Sequence, residues 1–204
     1  MEFLIICILA IIVGVIIALF ARLPSATSSA QPQTPNDSEM RLAGERGEIA
    51  ATEEIKSLLR DDDFLFTNVS VCYQDKTTEL DNVIVNKNGV FIIEVKAYKG
   101  QLFGTEEDYK WRQRKADVHG NVYDKFVKNP VRQVKRQVYI FAKYLDYYGS
   151  WTWVDGYALL LENNSPIISR YILSNKKDID RAIHTPGQNR LSQQQMEAII
   201  HLLQ

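Results

Sequence analysis

The polarity pattern divides the 204-residue chain into three stretches. Phe3–Ala21, FLIICILAIIVGVIIALFA, is an unbroken apolar run. At about 1.5 Å per residue it is long enough to cross a hydrocarbon core of about 30 Å. A secretory signal is the competing reading, but its apolar core should be about 7–15 residues behind a basic start. Here the flank is Met1-Glu2 and the run is longer, while Ser28–Ala30 resembles a cleavage site and leaves processing open as the alternative. Glu2 before the run and Arg22 after it place the rest of the chain on the cytoplasmic side of a single-pass anchor. Leu23–Glu39 is rich in Pro, Ser, Thr and Gln and reads as a flexible tether.

From there the period alternates between helix and strand. Glu39–Arg60 carries Ala51, Ile55, Leu58 and Leu59 at helical spacing. Extending that stripe backwards brings in Glu48; the alternative is an acid at the rim, near a helix start that favours negative charge. Phe64–Tyr73 reads as a strand. Glu79–Lys96, ELDNVIVNKNGVFIIEVK, reads as two apolar strands around Asn88-Gly89, a type I′ hairpin signal. Gly100–Phe103 and Tyr109–Trp111 suggest a short strand pair, and Arg112–Lys128 shows no clear period and reads as a loop. Asn129-Pro130 starts a helix with the stripe Val131, Val134, Val138, Phe141 and Leu145, closed near Gly149. Gly156–Leu161 reads as a strand buried on both faces, and Ile167–Leu173 as a further one. Lys176–Asn189 reads as loop, and Ser192 with Gln195 forms a capping box for the last helix. The expected organisation is an anchor over 1–22, a linker over 23–39, a core over 40–148, and strands and a helix over 149–204 that complete it.

Charge changes the picture locally. The total is near neutral, with 24 basic and 25 acidic residues, and does not by itself suggest a nucleic-acid binder. Two cysteines, Cys7 and Cys72, offer neither a disulfide framework nor a metal spacing.

Three charges interrupt the hairpin. With a two-residue Asn88-Gly89 loop, Lys87 pairs with Val90 and Asp81 with Lys96. Alternation then puts Asp81, Glu94 and Lys96 on one face, shared with Val83, Val85, Val90 and Ile92. Buried carboxylates are costly unless paired or holding a metal. Two on one face, with Glu48 from the first helix, suit a hard cation that keeps water or phosphate as its other ligands. A lysine beside them can offset charge developing on a phosphate. The competing reading is an Asp81–Lys96 ion pair on an exposed sheet.

The motifs GERGE (44–48), TELDNVIV (78–85), NGVFIIEVKAYKG (88–100), Trp111 and NPVRQ (129–133) resemble the nuclease-related domain (NERD) family. That family belongs to the restriction-endonuclease-like superfamily with its Asp…Glu-x-Lys motif. The resemblance implies an α/β fold, a mixed sheet flanked by helices, carried here behind an N-terminal transmembrane helix. It implies metal-dependent cleavage of DNA, with Mg²⁺, or Mn²⁺, as cofactor. Carried over, Asp81, Glu94 and Glu48 are the metal-binding acids and Lys96 the catalytic lysine. Glu79 matches the family's Glu-x-Asp pattern, and Gln133 a glutamine that opens the following helix and faces the site or the nucleic acid.

Between Lys110 and Lys143 ten basic residues, among them Arg132, Lys135 and Arg136, face only Asp117 and Asp124, with aromatic residues interleaved. Such a stretch suits a phosphate backbone, a solvated helix face, or anionic lipid. The expectation is therefore a membrane-anchored, metal-dependent nuclease. The alternative is a non-catalytic nucleic-acid-binding or scaffold module near the membrane.

Overall fold

The computed structural model describes residues 35–117, 119–161, 167–186 and 190–204. The apolar run Phe3–Ala21 and most of the tether lie outside the described residues. Among the described residues no helix is long and apolar enough to cross a membrane. The chain divides into two compact units, Met1–Glu39 and Met40–Gln204, and the second carries the fold.

The element order is α1 (Pro35–Lys56), β1 (Phe64–Tyr73), β2 (Lys76–Asn86), β3 (Gly89–Lys96), β4 (Gln101–Phe103), β5 (Lys110–Ala116), β6 (Val122–Lys128), α2 (Pro130–Tyr147), β7 (Val154–Leu160), β8 (Ile172–Leu173), α3 (Lys176–His184) and α4 (Gln193–Leu203). Helix α1 starts four residues earlier than its apolar stripe suggests and stops four earlier. The main sheet runs β1-β2-β3-β7-β8. Its first three strands are antiparallel, and β7 and β8 join parallel to β3. The sheet is thus mixed and flanked by helices.

Alternation along β2 and β3 sends side chains to two cores. Val83, Val85, Val90 and Ile92 meet Ile140, Phe141 and Leu145 of α2 and Met196 and Ile199 of α4. Ile84, Phe91, Ile93 and Val95 meet Ala51 and Ile55 of α1 and Ile179 and Ile183 of α3. Gly156 lets α2 approach β7 closely. A Cβ there would sit 2.4 Å from Val138 Cγ2 and 2.6 Å from Val134 Cγ1.

Two segments read as loops are regular. Arg112–Lys128 falls within a hairpin, β5 and β6, which with β4 makes a separate three-stranded sheet. Its period is hidden because a glutamine, Gln113, fills a buried position beside Trp111. Gln113 Nε2 donates to the Lys99 carbonyl at 2.5 Å. Leu102 and Trp111 dock this sheet on Val131 and Leu160. Lys176–His184 is a helix capped by Asn175, whose side chain accepts from Asp178 N. Only two of its nine residues, Ile179 and Ile183, are buried hydrophobics, too few for a stripe. By contrast, the strand read over Ile167–Leu173 shrinks to Ile172–Leu173.

Candidate active site

The hairpin turn differs from the expected one, and the difference sets the site. Asn86 pairs with Gly89 and Val85 with Val90, so the turn residues are Lys87-Asn88. Neither has positive φ, which a type I′ turn would need. Gly89 takes the unusual backbone instead, at φ 149°. Asn86 Oδ1 accepts from Asn88 N at 2.9 Å, and both asparagine amides donate to the Ile183 carbonyl at the end of α3. The asparagines are thus buried cap donors, and the register moves by two relative to the expected pairing. Continued from Asn82 opposite Ile93, it sets Asp81 across from Glu94 rather than from Lys96. An even shift keeps all three charges on one face.

Glu94 is 2% exposed. Its Oε1 accepts from Lys96 Nζ at 2.5 Å and from Gln133 Nε2 of α2; Oε2 accepts from Gln137 Nε2 at 2.6 Å. Lys96 therefore pairs with its own-strand neighbour, not across to Asp81. The α2 amides are aimed by the cap at its start. Asn129 Oδ1 accepts from Val131 N at 2.9 Å, while Nδ2 donates to the carbonyls of Thr105, Glu106 and Asp108. Gln137 is a site residue that the sequence reading omits. Its signal is the i,i+4 spacing from Gln133 on one helix face. Its amide also reaches the Glu79 carbonyl at 2.9 Å, and its Oε1 is buried without a partner.

Asp81 sits where the β1–β2 pairing is interrupted. Pairing runs from Thr67–Asn82 to Val69–Leu80 and skips Asn68, which has φ 53°. A left-handed non-glycine residue costs about 1 kcal/mol, and asparagine is among the types that tolerate it. Phe64–Tyr73 is therefore one strand, with a break opposite the acid. Asp81 Oδ2 accepts from Val95 N across the hairpin at 2.7 Å. Burial, and then the charge of Glu94, push the Asp81 carboxyl up to about 7. Burial alone would lower the Lys96 ammonium, but the charge and hydrogen bond of Glu94, then Asp81, hold it above its ordinary value.

Glu48 is not on the packed face of α1. It is exposed, while Ala51 and Ile55 are buried. The close contact that brings the helix in is Gly47, where a Cβ would lie 3.0 Å from Ala97 Cβ. Glu48 nonetheless lines one open cleft of about 410 Å³ with Asp81, Thr67 and Asn68. Its carboxyl is raised by burial and by the charges of Glu94, Glu45 and Glu79, against the lowering effect of Lys96. Glu79 is exposed.

The basic stretch is less open than its composition suggests. Arg112 and Arg114 both bind Asp124, each at 2.9 Å, and Lys135 lies 3.3 Å from Glu106. Arg132 covers the Tyr109 ring at 5.5 Å, and Arg136 donates to the Thr77 carbonyl at 3.2 Å. Arg132, Lys135 and Arg136 are all exposed. His184 is buried between Asp63 and Asp180, at 2.7 and 2.6 Å.

The donor set can be tested against a divalent cation. Among the described residues no three His, Cys, Asp or Glu side chains gather as a ready-made metal cluster. Two desolvated carboxylates face one another, however, and one of them is held near 7 by burial and by the other's charge. Mg²⁺ commonly takes one or two protein carboxylates and fills its sphere with water or phosphate. Asp81 and Glu94 fit that demand, with Glu48 at the rim of the cleft.

The sequence model of the nuclease-related domain (NERD) family matches residues 43–174. An uncharacterized protein of Bacillus anthracis is 32% identical over 72 residues, which is 34% of this chain and 34% of that protein. The matched stretch thus spans about a third of the relative. No solved structure matches.

Proposed function

The chain belongs to the nuclease-related domain family, and on that premise we propose that the Asp81–Glu94 pair serves metal-dependent phosphodiester hydrolysis of nucleic acid, DNA in the first instance. The observation that carries the proposal is one side-chain assembly. The buried Glu94 and the half-buried Asp81 face across β2 and β3, and Lys96 Nζ lies against Glu94. A bound Mg²⁺, or Mn²⁺, would supply Lewis-acid polarisation of the phosphate and a more acidic water.

The chain's own groups do the rest. Asp81 and Glu94 hold the cation, Glu94 kept in place by Gln133 and Gln137. Lys96 stays protonated between the acids and offsets negative charge at the reacting phosphate. Glu48, at the rim of the cleft, orients water. Arg132, Lys135 and Arg136 line the exposed side of α2 and suit the flanking phosphates.

A second reading, a non-catalytic nucleic-acid-binding or scaffold module, draws support from Glu94, whose carboxylate already accepts three hydrogen bonds. Cleavage assays of the full-length protein with single- and double-stranded DNA and RNA, with and without Mg²⁺, separate the two. Cleavage should require metal and vanish in Asp81→Asn and Lys96→Ala; equal cleavage by wild type and both variants defeats the nuclease reading. Phe3–Ala21 further supports a single-pass anchor with the domain on the cytoplasmic side. Release of the protein from membranes by alkaline carbonate would refute that placement.

A further inference from the structure

The outer face of the β4–β5–β6 sheet carries chemistry the site does not use. Trp111 and Gln113 turn inward and are buried. Their neighbours Lys110, Arg112 and Arg114 therefore turn outward. The register sets Phe103 beside Arg112 and Arg112 beside Phe126, one row across all three strands, with Lys110 beside Lys128 in the next. The Arg112 guanidinium lies 4.5 Å from the Phe103 ring centre and that of Arg114 5.7 Å. Phe126 is 70% exposed at the middle of its strand. On this face four cations meet one carboxylate, Asp124, which binds both arginines and so fixes their guanidinium planes.

An open phenyl ring flanked by fixed cations matches unpaired nucleotides. A base stacks on Phe126 while phosphates meet the lysines and arginines. A duplex hides its base faces and would leave Phe126 uncovered. The platform also adjoins the acids. At the Lys128 end of β6 the Tyr98 hydroxyl donates to the Lys128 carbonyl at 3.2 Å. Tyr98 is two residues beyond Lys96, and Gln133 is five beyond Lys128.

We propose that the β4–β6 sheet is a binding platform for single-stranded nucleic acid, which leads an unpaired strand toward Asp81 and Glu94. The strand's destination rests on the nuclease reading; the binding itself does not. The test is fluorescence anisotropy of the full-length protein in detergent with EDTA. The probes are oligothymidine and oligouridine of about 20 nucleotides and a duplex of the same length. The single strands should bind at least about tenfold more tightly than the duplex. Phe126→Ala should weaken that binding about 5- to 150-fold, as expected for one lost stack. Phe126→Trp should retain it. Lys110→Glu with Lys128→Glu should flatten the salt dependence by about 0.7 per lost contact. A difference between the two oligonucleotides reads the sugar preference of the same platform.

Unchanged binding by Phe126→Ala, or duplex bound as tightly as single strand, overturns the proposal. So does retention of anionic vesicles without oligonucleotide binding. EDTA keeps the outcomes apart. Binding intact with no metal-dependent cleavage defeats the nuclease reading alone, while cleavage intact with no platform binding defeats the platform alone.

Discussion

Asp81→Asn should make the protein more stable, not less, and only in a pH-dependent way. The Asp81 carboxyl stands at about 7 against an ordinary 3.8, because burial and the neighbouring Glu94 disfavour its charge. A carboxyl raised in the folded state binds more protons folded than unfolded, so stability is lost as pH rises from about 4 through about 7. Three pH units at about 1.36 kcal/mol each give about 4 kcal/mol of destabilisation above pH 7. Asp81 opens on a cleft, and halving for solvent screening leaves about 2 kcal/mol. Asparagine removes the charge but keeps an oxygen to accept from Val95 N, the one hydrogen bond the side chain makes in the hairpin. For a chain of this length about 2 kcal/mol corresponds to a Tm gain of about 4–8 °C. The assay is thermal unfolding of both proteins in EDTA at pH 8 and pH 5. At pH 5 only the unfolded carboxyl is ionised, so roughly a third of the gain should remain. A variant less stable than wild type at pH 8, or a gain as large at pH 5 as at pH 8, would refute the reasoning.

Mg²⁺ at about a hundred times its Kd should raise wild-type stability by about 2.7 kcal/mol at pH 8 and leave Asp81→Asn unmoved, read by the same melts; equal shifts in both would place the cation elsewhere. Gly156→Ala drives a methyl into Val134 and Val138, so urea unfolding should show a loss of about 1–3 kcal/mol, and an unchanged midpoint would mean that α2 does not sit so close to β7. Asn129→Ala removes a helix cap and three carbonyl contacts and should cost about 2–3 kcal/mol. Asn129→Asp, which keeps the cap acceptor but not the amide donor, should lose less, and equal losses would assign no role to the cap acceptor.

What the chain reveals to a reader of sequence depends on whether a residue obeys the period of its element. The parity of the hairpin is legible because any shift by two keeps Asp81, Glu94 and Lys96 on one face. The register itself is not. Asn88-Gly89 carries a strong local turn signal, yet Asn86 and Asn88 are taken by the Ile183 carbonyl, a partner nearly a hundred positions away. Tertiary hydrogen bonding overrides local turn chemistry there. The same cause hides β5, where Gln113 occupies a core position and its amide is taken by the Lys99 carbonyl. It also hides Gln137, a polar residue in a helix stripe whose partner is Glu94. These departures run in one direction. Polar side chains stand at buried positions around Asp81 and Glu94, and Asn68 breaks β1 opposite the acid. A core built for stability alone would have apolar residues at Gln133 and Gln137, with no carboxylate to hold. Local rules are broken where Glu94 is held in place, so the cost in stability falls where a cation and a phosphate would be bound.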